Sequence, residues 1–203
     1  MNVPLLDLKS HMNPLRGEIL QAVTRVLDST RYILGAEVRQ LEEHLAAYCH
    51  TTEAVGVSSG TDALLISLMA LGIGPGDRVL TTPYSFFATI GSILRTGAVP
   101  VFADIEAGSM NIDPLQAADV LDREMKSGGD IKAIIPVHLF GQCADMQRIV
   151  PLAEKYGVAI VEDAAQAVGA DCPVDEGGGA AWKRAGSMGA AGCFSFFPSK
   201  NLG

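Results

Sequence analysis

The sequence is short of the residues that bring a chain to nucleic acid, to a membrane or to a metal. Lysine and arginine number 15 against 23 aspartates and glutamates, a net charge of −8. Such a balance disfavours a nucleic-acid or anionic-membrane partner, either of which needs a basic face, and leaves room only for local basic pockets. No apolar run approaches the roughly 20 residues of a membrane span. The opening MNVPLLDLKSHM lacks the charged-then-apolar order of a secretory signal, so the cytoplasm is the expected compartment. Cysteines are few and scattered: Cys49, Cys143, Cys172 and Cys193 form no CxxC pair, which suggests neither a zinc site nor a disulfide framework. His11, His44, His50 and His138 are equally dispersed, and metal chemistry is not expected. Apolar residues, by contrast, make up 48% of the 203, enough to bury a sizeable core.

Those apolar residues fall into two textures. After Pro14, Leu15, Ile19, Ala22, Val23, Val26 and Leu27 line one helical face, and Val38, Leu41, Leu45 and Tyr48 line a second. From there short β-branched runs alternate with helical stretches. Strands are predicted at 54–57, 78–82, 99–104, 132–137 and 158–163. Helices are predicted at 61–71, 86–95, 114–125 and 145–156, the third with Asp113 as N-cap and Pro114 at the first position. Pro151 predicts a kink or a late start in the fourth. Apolar strands separated by helices imply an α/β fold with a mostly parallel central sheet covered on both faces, and ligands then bind at the carboxyl ends of the strands. The glycine- and alanine-rich stretch at 171–192 is expected to be a long loop, either a mobile surface insertion or a flap over the site.

Chemistry-bearing residues gather where those strands should end. SSGTDALL at 58–65 opens a helix, and free N–H groups at a helix start suit a phosphate, although taken alone the pattern is better read as an ordinary N-cap by Ser59 or Thr61. GIGPGD at 72–77 follows a helix and precedes a strand, the reverse of a dinucleotide-binding order, and reads as a turn. In VEDAAQAVGA, Glu162 and Asp163 must point to opposite sides, so only one need serve a ligand; Gln166 adds an amide close by. The phenylalanines of TTPYSFFATIGSIL either pack in the core or offer a flat stacking surface. Finally, CFSFFPSKNLG places Ser195 and Lys200 after a strand-like run. A phosphate seat, an acid, a stacking ring and a lysine at the ends of one sheet form the set that pyridoxal phosphate requires: an amine for the imine, a carboxylate for the pyridine nitrogen and donors for the phosphate.

Taken in order, LLDLKS, RYILGAEVRQLEEHLAAY, SSGTDAL, GIGPGDRVLTTPYSFFAT, GAVPVFADIEAGSMNIDP, AIIPVHLFGQCADM, VEDAAQAVGA and GSMGAAGCFSFFPSKNLG resemble the sugar aminotransferases of the DegT/DnrJ/EryC1/StrS family across essentially the whole chain. The resemblance implies the three-layer α/β sandwich of pyridoxal-phosphate-dependent transferases. Residues 1–30 would be an N-terminal helical segment, and 31–203 the first part of the large domain, stopping after the Schiff-base lysine with the small carboxyl-terminal domain absent. It implies Lys200 as that lysine and Asp163 as partner of the pyridine nitrogen. It further implies Gln166 on the ring's 3-oxygen, Phe86 (or Phe87, one register away) stacked on the ring, and Gly60, Thr61 and Ser195 on the phosphate, with His138 facing cofactor or substrate. The implied reaction moves an amino group, from glutamate in the family, to a keto group of a nucleotide-linked sugar, in a homodimer with shared active sites. Family dehydratases carry a histidine where Lys200 stands, which favours transamination over the alternatives of a dehydratase and a non-catalytic cofactor-binding sensor. The 171–192 segment is longer than its family counterpart.

Overall fold

Alternation along short strands sorts the core into two halves. The computed structural model describes residues 6–175 and 180–202. Its helices are α1 (Leu8–Ser29), α2 (Ala36–Cys49), α3 (Gly60–Ala70), α4 (Phe87–Thr96), α5 (Pro114–Lys126) and α6 (Met146–Tyr156). Its strands are β1 (Arg78–Thr81), β2 (Val99–Phe102), β3 (Ile131–Ile134), β4 (Ala159–Asp163), β5 (Asp171–Asp175), β6 (Ala180–Arg184) and β7 (Ala191–Cys193). Five of them form one parallel sheet in the order β2-β1-β3-β4-β7. Val79, Ala133, Ile135 and Val161 pack with Leu64, Leu68 and Ile93 of α3 and α4 on one face. Leu80, Ile134 and Ile160 pack with Leu121 of α5 and Ile149 of α6 on the other. Each buried valine, leucine or isoleucine side chain among these stabilises the fold by about 1.5–3 kcal/mol relative to exposure. The three-layer α/β architecture expected from the alternating runs is thus present.

Local chemistry sets the helix starts. Asp113 accepts from the Leu115 N–H, Asp145 from Arg148 and Ser59 from Asp62, each satisfying a donor that the first turn leaves free. Pro151 does not delay the start of α6, which begins at Met146; Ile149 and Ala153 on either side of it are buried, and that packing outweighs one missing backbone bond. Helix α1 begins at Leu8, ahead of Pro14, because Asp7 caps it through the Ser10 N–H. None of its residues is fully buried. No helix among the described residues is long and apolar enough to cross a membrane.

Three expectations require correction. Residues 54–57 lie in no strand; the Gly56 N–H goes instead to Glu42 Oε1 at 2.6 Å. The 171–192 stretch is largely structured: β5 and β6 pair antiparallel and β7 joins the main sheet, while 176–179 lie outside the described residues. Its alternation, with Cys172 and Val174 buried and Pro173 exposed, is masked by the glycine and alanine around it. And Cys143 is bonded to Cys172, their Cα atoms 5.7 Å apart across a sequence separation of 29. Spacing gave no sign of this pair because the fold, not the local chain, brings the segment before α6 against β5.

Candidate active site

The order of the parallel strands creates a crevice. From β1 the chain steps outward to β2, then returns to the opposite side of β1 for β3 and continues through β4 to β7, so its direction reverses between β1 and β3. Ligands bind at the carboxyl ends of strands beside such a reversal. A cavity of about 1370 Å³ opens along this edge, and every residue expected to serve the site lines it: Gly60, Thr61, Phe86, His138, Asp163, Gln166, Ser195 and Lys200.

Asp163 ends β4, and strand alternation turns it to the same face as Val161, toward α4. It is only 5% exposed. Its Oδ2 accepts from Thr89 Oγ1 at 2.7 Å, and its Oδ1 accepts a longer bond from the Ala165 N–H at 3.3 Å. Burial pushes its carboxyl above the ordinary carboxylate value, opposed by those two hydrogen bonds and by the proximity of His138 and Lys200. A cation brought against Asp163 would therefore relieve a standing desolvation cost.

A second wall of the cavity is formed by the start of α3. In the first turn of α3, Asp62 N–H is taken by Ser59 Oγ and Ala63 N–H by Ser59 O, which leaves the N–H groups of Gly60 and Thr61 for a guest. A Cβ on Gly60 would lie 2.9 Å from Ser195 Cβ and 3.1 Å from the Phe194 carbonyl oxygen, so glycine alone lets α3 and the chain after β7 come this close. Between the two walls stand the remaining candidates. Phe86, just before α4, is 72% exposed and borders the cavity, whereas the Phe87 ring folds back onto Gly91 of its own helix. Gln166 Oε1 accepts from the Phe140 N–H at 2.8 Å, which leaves the amide NH₂ as the group free to donate. Lys200 is half-buried in a turn closed by its own N–H to the Phe197 carbonyl.

Glu162, one residue earlier, faces the other side and anchors protein rather than ligand. Its Oε2 accepts from Gly186 N–H at 2.7 Å and lies 3.0 Å from His138 Nε2; its Oε1 accepts from Met188 N–H at 2.6 Å and Gly189 N–H at 2.7 Å. His138 Nδ1 accepts from Ala144 N–H at 3.1 Å, which puts the ring proton on Nε2, donated to Glu162. His138 therefore borders the cavity, as expected of a residue facing cofactor or substrate, with both ring nitrogens hydrogen-bonded inside the protein, so its ring carbons are what it can offer a ligand. Sequence reasoning passed over Thr89, Ser85 and this Glu162 network. It also passed over Asn111, which frames the Phe140 turn by accepting from Leu139 N–H and donating to Gln142 O. The available signal was a pair of hydroxyl residues, Thr89 and Ser92, on the buried face of α4.

Known proteins resemble this chain along nearly all of its length. The model of the DegT/DnrJ/EryC1/StrS aminotransferase family matches residues 13–203. A "pleiotropic regulatory protein" of Geobacillus stearothermophilus is 46% identical over 100% of this chain and 51% of its own length. The UDP-N-acetyl-3-dehydro-alpha-D-glucosamine 3-aminotransferase of Acidithiobacillus ferrooxidans is 45% identical over 99% of this chain and 51% of its own. Among solved structures, DesV of Streptomyces venezuelae in complex with a ketimine intermediate superposes with a TM-score of 0.87 at 42% identity, covering 99% of this chain and 50% of that one. The chain thus spans about half the length of the curated relatives it matches. It belongs to the DegT/DnrJ/EryC1/StrS aminotransferase family.

Proposed function

We propose that the protein is an aminotransferase that uses pyridoxal 5′-phosphate to carry an amino group from an amino acid, glutamate in the first instance, to a keto group of a nucleotide-linked sugar. One observation carries the reading: Asp163 and Lys200, from the ends of different segments, border the same cavity as the free N–H groups of Gly60 and Thr61. The residues present suit the cofactor. Gly60 leaves a cradle that a Cβ would fill, the α3 start offers donors to a phosphate, and the buried carboxylate at the far wall awaits a cationic partner.

When bound, pyridoxal phosphate supplies an electrophilic carbonyl and a ring that accepts an electron pair. The chain's residues would do the rest. Gly60 and Thr61 would donate to the phosphate, joined by the Ser195 hydroxyl, and the exposed Phe86 ring would provide a flat face for stacking. The Gln166 amide, its oxygen committed to Phe140, would donate to the ring oxygen. Asp163 would hold a proton on the ring nitrogen, where its negative charge favours the cationic form. Lys200 would supply the amine for the cofactor's carbonyl and the base that moves a proton at the amino donor's α-carbon. The acidic balance supports a small-molecule partner rather than nucleic acid or a membrane, and we read the protein as a cytoplasmic homodimer with shared active sites.

The test uses the full-length polypeptide. Incubated with pyridoxal phosphate, it should develop a visible absorbance band that Lys200→Ala abolishes, and should release 2-oxoglutarate from glutamate when given keto nucleotide sugars. An unchanged band in the variant removes Lys200 from its role. The name of the Geobacillus relative favours one other reading, a cofactor-binding regulator. It gains if the band forms and no amino acid ever yields a keto acid.

A further inference from the structure

Asp163 has two carboxylate oxygens, and the fold treats them differently. Oδ2 is held by Thr89 Oγ1 at 2.7 Å, whereas Oδ1 has only the 3.3 Å contact from Ala165 N–H. Thr89 is itself fully buried and tied on three sides. Its N–H donates to the Phe86 carbonyl at 3.2 Å, its own carbonyl accepts from Ser92 Oγ at 2.9 Å, and its hydroxyl lies 2.7 Å from Ser85 Oγ. A hydroxyl has one proton to give. Because an ionised carboxylate only accepts, Thr89 donates to Asp163 and must accept from Ser85, a residue that borders the cavity. The polarity of the chain Ser85 → Thr89 → Asp163 is therefore set.

We propose that Thr89, backed by Ser85, is a positioning residue that locks one carboxylate oxygen of Asp163 and so presents the other to the cofactor's ring nitrogen. This rests on the pyridoxal phosphate reading above. The same residue also joins two contacts that come from different parts of the chain. Thr89 bonds the acid at the end of β4 through its side chain and the Phe86 carbonyl through its main chain, so the carboxylate and the stacking ring are held in one frame. A threonine that served packing alone would be replaceable by valine, which has nearly the same shape and no hydroxyl.

The test compares Thr89→Val, Thr89→Ser, Ser85→Ala and Asp163→Asn in the full-length protein. It reads the dissociation constant of pyridoxal phosphate, the pH midpoint of its visible absorbance when bound, and the melting temperature without cofactor. Four ionisable groups near Asp163 bear on that midpoint: Lys200 from the last turn, His138 after β3, Cys193 of β7 and its neighbour Glu162. All four are unchanged in the Thr89 and Ser85 variants. Loss of a single hydrogen bond to a charged group predicts about 10- to 100-fold weaker cofactor binding in Thr89→Val. The midpoint should shift along with it. Thr89→Ser should restore both to within about 3-fold of the wild type, since it keeps the donor. Ser85→Ala, at the cavity edge, should give a smaller loss in the same direction and keeps the test decisive if Thr89→Val does not fold. Wild-type affinity and midpoint in Thr89→Val or Ser85→Ala, while Asp163→Asn loses cofactor, overturns the positioning role and leaves the cofactor reading intact. Full cofactor binding with an unmoved midpoint in Asp163→Asn overturns both.

Discussion

Replacing Glu162 by glutamine, a change of one heavy atom, should unsettle the protein. The side chain is fully buried, and its two oxygens together accept from three backbone N–H groups and the His138 ring. Glutamine keeps the shape and one acceptor oxygen, sufficient for two of the four donors, but turns an NH₂ toward the other two. Two buried donors then lose their partner at about 1–3 kcal/mol each, and with partial relaxation the expected destabilisation is about 2–4 kcal/mol. At about 2–4 °C per kcal/mol for a chain of this size, thermal denaturation followed by circular dichroism should fall by about 4–16 °C. Hydrogen exchange locates the effect: the amides of Gly186, Met188 and Gly189 should lose protection while those of β1 and β3 keep theirs. A variant within about 0.5 kcal/mol of the wild type, or one whose exchange rises uniformly, would refute the view that this carboxylate holds the 185–190 turn against the sheet.

Three further outcomes follow from particular contacts. Burial raises the Asp163 carboxyl above its ordinary 3.8, so the stability it contributes is complete below that value and is lost as pH climbs through the raised one. Cofactor-free Asp163→Asn should therefore melt higher than the wild type at pH 7, with the difference vanishing near pH 4; equal melting at both pH values contradicts the burial cost. Gly60→Ala would press a methyl group against Ser195 Cβ and the Phe194 carbonyl, and should weaken pyridoxal phosphate binding at least about 10-fold, measured by dialysis, with unchanged affinity counting against the phosphate seat. Burial pushes Cys193 up to about 12 and raises Cys49, while Cys143 and Cys172 are paired. Iodoacetamide at pH 8 should thus leave Cys49 and Cys193 of the native protein unlabelled by peptide mass spectrometry, and rapid modification of Cys193 would contradict its placement.

Much of the fold was legible because the signals are local. Asp113 before Pro114 marked the start of α5, and the β-branched runs marked four strands to within a few residues, since capping and period-two burial act between near neighbours in the chain. The opposite orientation of Glu162 and Asp163 followed from the pleat alone. Residues 54–57 were misread because a β-branched run becomes a strand only when a neighbouring strand pairs with it. The hairpin at 171–184 was missed for the converse reason: its alternation is carried by Cys172 and Val174 among glycines and alanines that carry no pattern.

At the site, residue types reached the eye while their partners did not. A lysine near the end, an aspartate after an apolar strand and a glycine at a helix start are recognisable from the string of letters, because each has a local context that suits one chemistry. That Thr89 holds Asp163 across a sequence separation of 74, that His138 is spent on Glu162, and that Cys143 meets Cys172 are products of packing. Local sequence was enough to place four strands, the starts of α5 and α6, and the acid, amine and amide hydrogens that lie near their ends. Which of these groups share a cavity, and which are used up holding the wall, came from packing, because hydrogen bonds between distant segments depend on strand order and helix docking, and neither is written in any short stretch of residues.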